Sequence, residues 1–176
     1  FEDGKVYVVE FWATWCGPCR TSMPHLSQLQ EEYGEDVHFI GVTNEDNPTV
    51  AKFMSQQANE EKTWEEVVTY AIALDADNQT NRNYMAAAQQ SGIPSAFIVG
   101  KTGKVEWIGH PMRMDSVLEA VVSDTWDRAT FKAEFEQQQK IKTAMREARG
   151  RIAKAKASED WAGLIAVYDE LIEMVP

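Results

Sequence analysis

Cys16 and Cys19 are the only cysteines in the 176-residue chain, and Gly17-Pro18 is all that separates them. Two thiols at this spacing can supply half of a metal site, form an inert disulfide, or cycle between dithiol and disulfide. Zinc asks for four ligands. There is no second CxxC, and His25, His38 and His110 are scattered without ligand-like spacing. So short a loop is a poor structural staple. Redox cycling fits best, because of what flanks the pair. The apolar run Val6-Tyr7-Val8-Val9-Glu10-Phe11 before it is of strand type, and residues 21–33 after it are of helix type. The cysteines therefore stand where a strand hands over to a helix. The free N–H groups and positive dipole end of a helix stabilise a thiolate there. A free thiol titrates near ~8.5, and a depression of about 1.5 units would make roughly half of Cys16 thiolate at neutral pH. Cys16 is expected to be the exposed member of the pair. Pro18 suits the first helical turn, and Gly17 keeps the approach to the sulfurs open.

The elements that must position this pair can be read along the chain. Val6 to Phe11 is a mostly apolar strand, broken by Glu10, whose carboxylate either tips into solvent or is buried and protonated or paired. A helix over 18–33 carries Met23, Leu26, Leu29 and Tyr33 on one side, is interrupted by Pro24, and ends at Gly34. His25 reads as a helix-surface residue. Residues 37–43 form a second strand, and a helix starts near Pro48 or Thr49. A short strand follows over 69–74. Asp75-Ala76-Asp77-Asn78 lacks the glycine and closing Glu of an EF-hand loop and reads as a turn and helix cap. An Ala-rich helix is expected over 80–90. Ile93-Pro94 precedes the strand 95–99, a hairpin turn over 100–104 leads to the strand 105–108, and Gly109 lets the chain turn. Asp115 is placed to cap a helix bearing Val117, Leu118, Val121 and Val122.

Residues 124–176 form a separate pattern. Phe131, Phe135, Met145, Ala148 and Ile152 make a broken helical stripe. Ser158 can cap a second helix with an apolar face of Trp161, Leu164, Ile165, Tyr168, Leu171 and Ile172. Residues 160–176, with the closing Pro176, resemble the second helix of a tetratricopeptide repeat. An ordinary helical hairpin and the start of a helical-repeat region are the two readings of this tail, which offers surface for protein contacts and no catalytic group.

Composition bounds the function. An apolar content of 44% is enough for a core, and a net charge of −11 argues against nucleic acid, whose phosphates need Lys and Arg. No run of eighteen apolar residues could span a membrane. The chain opens on Phe1 and closes just after a helical pattern, so it reads as part of a longer protein in which targeting segments could lie elsewhere.

Trp-Cys-Gly-Pro-Cys after a hydrophobic strand resembles the thioredoxin superfamily, and Phe11-Trp12-Ala13-Thr14-Trp15-Cys16 most resembles its TlpA/ResA-like branch. The resemblance covers residues 1–123. It implies an α/β thioredoxin-like fold, a central mixed sheet flanked by helices, with a strand–helix insertion over about 64–90 and the helical extension behind it. It implies that Glu10 is the buried carboxylate six residues before the first cysteine, standing where thioredoxins have Asp. It implies that Ile93-Pro94 is a cis-proline loop facing the cysteines, able to pair with an extended substrate. Trp12, Trp15, Gly17, Pro18, Ile93, Pro94 and Gly109 would then shape the substrate-docking surface.

The activity implied is thiol–disulfide exchange in the reducing direction. Cys16 would attack, Cys19 would resolve, and Glu10 would accept a proton, with no metal or organic cofactor. Disulfide-containing proteins would be the substrates, an upstream redox partner would recycle the pair, and the location would be extracytoplasmic. Two other classes stand beside it. A thiol peroxidase would need a cysteine in a Pro-x-x-x-Thr-x-x-Cys setting, which the sequence lacks. A non-enzymatic interaction module would act through the tail.

Overall fold

The computed structural model describes residues 1–174. They divide into two compact units, Phe1–Arg128 and the helices from Ala129 onward. The first holds a five-stranded sheet: β1 (Val6–Phe11), β2 (Val37–Thr43), β3 (Ala71–Leu74), β4 (Ser95–Val99) and β5 (Val105–Gly109), in the order β3-β2-β1-β4-β5. β1–β2 and β2–β3 are parallel, whereas β1–β4 and β4–β5 are antiparallel. The sheet is therefore mixed, and the central strand β1 is buried along its whole length. Its near-continuous apolar sequence follows from being covered on both faces.

Strand alternation sorts the residues of β1 between those faces. Val9 and Phe11 join Val42, Phe97 and Met85 in one apolar cluster. Val6, Val8, Glu10 and Trp12 point the other way, beneath helix α1 (Gly17–Tyr33), whose buried side is Cys19, Ser22, Met23, Leu26, Ser27 and Leu29. α1 contains Pro24 and ends at Gly34, which adopts a positive φ of 57° that L side chains rarely take. Helix α2 (Asn47–Met54) is capped by Asp46, and the single turn α3 (Trp64–Val67) carries a capping box between Thr63 and Glu66. Helix α5 (Asp115–Val122) closes the domain after the short turn α4 (Gln79–Asn81) and the last two strands.

Several local expectations need correction. The Ala-rich segment is not a uniform helix: α4 passes into a π-helical turn at Arg82–Ala86, and Gln89 takes a positive φ. Asp115 is the first residue of α5, not its cap; its carboxylate instead bonds Nε2 of His25 at 2.8 Å, tying α5 to α1. Asp75 accepts from the N–H groups of Thr80 and Asn81, which is capping chemistry, and no metal-type cluster exists among the described residues. Gly109 does not release the chain into a turn. It ends β5 opposite Ala96, and a Cβ there would stand 2.3 Å from Cζ2 of Trp107. The indole lies over the backbone, so position 109 has no room for a side chain.

The first unit runs on to Arg128 because the segment after α5 is tied to β5. Trp126 donates its indole N–H to the Glu106 carbonyl at 3.1 Å, and Arg128 donates to the Val105 carbonyl at 2.8 Å.

The second unit is a pair of helices. α6 (Arg128–Ala157) is one unbroken 30-residue helix, and α7 (Trp161–Glu173) follows a short turn. Asp160, not Ser158, caps α7, accepting from Gly163 N–H at 2.9 Å, while the Ser158 hydroxyl bonds back to Lys154. Of the expected apolar face of α7, Trp161, Ile165, Tyr168 and Ile172 are exposed. Val167 is the buried residue of that helix. The expected closing Pro176 lies outside the described residues.

Candidate active site

The register of the sheet collects the sequence motifs at one end. β1 finishes at Phe11 opposite Ser95, the first residue of β4, so Pro94 lies beside the point where the chain leaves β1 for the cysteines. Ala96, next along β4, pairs with Gly109 at the end of β5. On the other side, Trp12 N–H donates to the Val42 carbonyl near the end of β2. The ends of β1, β2 and β5 and the start of β4 thus lie at the same end of the sheet as the start of α1, which carries the cysteine pair. The Ile93–Pro94 peptide bond is cis.

Cys16 and Cys19 are joined by a disulfide. Cys16 is the N-cap residue of α1, and its sulfur accepts the Cys19 backbone N–H at 3.2 Å. The sulfur so occupies the position where side-chain oxygens usually satisfy a free N–H of the first turn. Pro18 sits within that turn without an N–H to leave unpaired. Cys16 is only 4% exposed, against 0% for Cys19. The expectation of an open first sulfur is thereby corrected: in the disulfide state it is turned in toward the helix terminus, and Trp15, at 72%, is the residue that projects.

Glu10 is 1% exposed, and neither carboxylate oxygen has a hydrogen-bond partner. Burial pushes its pKa up from 4.5 to about 8, so the carboxyl is protonated at neutral pH. The solvent-facing alternative for this residue is excluded. Trp12 also departs from expectation. It shares the covered face of β1 with Glu10, meets Phe53 in a tilted ring pair at 5.6 Å between centroids, and offers no surface to a substrate. Of the other expected docking residues, Pro18 is exposed, Gly17, Ile93 and Gly109 are half-buried, and Pro94 is buried.

Two residues near the site carried no motif. Glu45 follows β2 and holds the loop before Cys16: Thr14 donates its N–H to Oε2 at 2.6 Å and its hydroxyl to Oε1 at 2.7 Å. Tyr70 buries its hydroxyl, unpaired, near Glu10, whose charge adds to burial in holding the phenol pKa well above the usual value. The only advance signal for either was a polar residue next to a strand end.

A thioredoxin-like mixed sheet with a CXXC pair at the N-terminus of its first helix defines the class of thiol–disulfide oxidoreductases. The chain belongs to the AhpC/TSA family, whose model matches residues 1–108. It is similar to the protein FixW of Rhizobium leguminosarum, 24% identical over 182 aligned positions that take in 100% of this chain and 82% of FixW. It is also similar to the thiol:disulfide interchange protein HelX of Rhodobacter capsulatus, 27% identical over 120 positions, 68% of this chain and 60% of HelX. This chain thus spans less than two thirds of HelX. A solved thiol:disulfide interchange protein of the thioredoxin family from Chlorobium tepidum shares the fold, with a TM-score of 0.54 at 24% identity over 68% of this chain and 81% of that one. No helix among the described residues is long and apolar enough to cross a membrane.

Proposed function

We propose that this chain reduces disulfides in proteins, outside the cytoplasm, through the Cys16–Cys19 pair. The observation that carries the reading is the Cys16 sulfur at the N-terminus of α1, where it accepts the Cys19 N–H at the positive end of the helix. After reduction the same groups favour its thiolate.

The Cys16 thiolate attacks one sulfur of a substrate disulfide. A Cys16–substrate bond forms, the substrate S–S bond breaks, and the released substrate thiolate takes a proton from solvent. Cys19 then loses its proton to Glu10 in its ionised form, the minor form at neutral pH because burial raises its pKa to about 8, and attacks the Cys16 sulfur. The Cys16–Cys19 bond forms, the mixed disulfide breaks, and the second substrate thiolate leaves. Two electrons pass from the dithiol to the substrate, and an upstream dithiol partner restores the pair.

Trp15, Gly17 and Pro18, with the Ile93 backbone beside Pro94, are the surface against which an extended substrate segment would lie. The reducing direction rests on Gly-Pro between the cysteines, and the extracytoplasmic location rests on resemblance. No step calls for a metal or organic cofactor.

The reduction potential tests the direction. The pair is equilibrated with graded dithiothreitol or glutathione couples, and trapped thiols are counted by mass. The expected value is near about −270 mV, typical of thioredoxin. A value near about −120 mV, typical of a strong oxidant, would reverse the assignment. Thiols that form no reversible intramolecular disulfide would sink the mechanism.

A further inference from the structure

Glu10 is one of three buried polar side chains without partners that meet in one place. The others are Trp12, through its indole Nε1, and Tyr70, through its hydroxyl. Gly41 locates them. It lies directly across from Glu10 in the β1–β2 ladder, one strand spacing away and on the same face. A Cβ on Gly41 would stand 3.1 Å from Trp12 Nε1 and 3.1 Å from Cε2 of Tyr70. The indole nitrogen and the phenol ring, with Ile72 Cδ1 at 2.9 Å, thus fill the space that a side chain at position 41 would take, beside the Glu10 side chain.

The chemistry of the three groups is complementary. An ionised carboxylate only accepts hydrogen bonds, an indole N–H only donates, and a phenol can donate. With Glu10 protonated, as in the disulfide state, all three stay unpaired, and an ionised carboxylate gains more from donors than the neutral acid does. Among the described residues, Tyr70 is the titratable group that this geometry sets beside an ionised Glu10. The surroundings are otherwise uncharged: Val8 and Trp12 on β1, Phe39, Gly41 and Thr43 on β2, Ala96 and Ile98 on β4, and Ser22, Met23 and Leu26 on α1. Burial, and after it the Glu10 charge, raises the Tyr70 phenol pKa well above its usual value.

We propose that Tyr70, with Trp12 beside it, supplies the hydrogen-bond donors that stabilise the ionised Glu10 carboxylate, and so sets the pH at which Glu10 can take the proton of Cys19. Tyr70 is then a positioning residue that acts through Glu10. The inference rests on the proton-acceptor role given to Glu10 above. A hydrogen bond to the charged form of an acid lowers its pKa, so removing the donor raises it.

The test is a carbon-detected NMR titration of the Glu10 carboxyl in the oxidised protein, its signal identified by its loss in Glu10→Gln. Tyr70→Phe is expected to raise the Glu10 pKa by half a unit or more, at least a threefold change in proton affinity, and Trp12→Phe is expected to move it the same way. A purely structural role for Tyr70 predicts lowered stability with the Glu10 titration unmoved, and unmoved titrations would overturn the proposal. Should Tyr70→Phe fail to fold, Trp12→Phe alone decides. The premise is checked separately, from the pH dependence of the rate at which Cys19 resolves a mixed disulfide on Cys16. If Glu10→Gln leaves that profile unchanged, the proton-acceptor role falls and the inference with it. If Glu10→Gln alters the profile while Tyr70→Phe and Trp12→Phe leave the Glu10 pKa in place, only the inference falls.

Discussion

The Glu45 carboxylate grips Thr14 twice, one oxygen taking the backbone N–H at 2.6 Å and the other the hydroxyl at 2.7 Å. Thr43 steadies the same carboxylate from β2 at 3.3 Å. Thr14 lies two residues before Cys16, so this contact fixes the loop that presents the disulfide. Glu45→Gln is isosteric and can still accept the Thr14 N–H, but its amide must then donate to the Thr14 hydroxyl, so the bond that the hydroxyl donates to a charged oxygen is lost. The loss of one charge-assisted hydrogen bond is expected to cost about 1–3 kcal/mol of stability, read from denaturant unfolding. The rate of disulfide exchange is expected to fall with it, because the loop no longer holds Cys16 in one orientation. Unchanged stability and rate would show that Thr14 needs no anchor.

Glu10 makes stability depend on pH in a definite direction. Its pKa is raised by burial from 4.5 in the unfolded chain to about 8 in the fold, so the folded protein binds this proton more tightly. Below about 4.5 both states are protonated and Glu10 contributes no penalty. Between the two values the unfolded state ionises and the folded state does not, and stability falls as pH rises; above about 8 the penalty is constant. At pH 7 it amounts to about 3 kcal/mol. Glu10→Gln removes it. The oxidised variant is expected to gain stability over wild type between pH 5 and pH 8, and a constant difference across that range would contradict the buried, protonated state.

What was legible in the sequence was whatever chemistry fixes locally. The cysteine pair, the strand before it and the proline ahead of β4 stand in contiguous motifs, and the sheet assembled around them. The Glu45–Thr14 contact spans 31 residues and depends on where β2 ends relative to β1, which no local pattern states. The misplacement of Trp12 was avoidable. It stands two residues after Glu10, and a period of two puts both on one covered face. The turn at Arg82–Ala86 has the composition of an ordinary helix but is wound as a π-helical turn, with Met85 and Tyr84 packed against Phe11 and Phe97. On α7, an apolar stripe announced burial for side chains that are in fact exposed, because a stripe records affinity for a partner surface without supplying one.

Gly109 carries a sharper steric demand than a turn glycine. The Trp107 indole lies within 2.3–3.1 Å of where its Cβ would be, and Trp107, two residues earlier on β5, is itself buried. Gly109→Ala is expected to push the indole out of place and to destabilise the protein by about 1–3 kcal/mol, as overpacking does. Trp fluorescence and the thermal midpoint should shift together. A neutral result would mean that the indole has another place to go.

The two cysteines are not interchangeable, and their serine variants separate their roles. Cys16 caps the helix and borders the exposed Trp15, whereas Cys19 is fully enclosed. With Cys19→Ser, the first attack on a disulfide-bonded peptide can proceed but nothing resolves the product. The variant is expected to accumulate a mixed disulfide at Cys16, visible as a mass increase of one peptide thiol. With Cys16→Ser the remaining thiol is buried beneath α1 with no exposed face, and no adduct should form at neutral pH within the time that saturates the other variant. The opposite pattern, adducts on Cys19 and none on Cys16, would make the enclosed cysteine the nucleophile. That outcome would also remove Glu10 from the resolving step, since its proton transfer is assigned to Cys19 in the second half of the cycle.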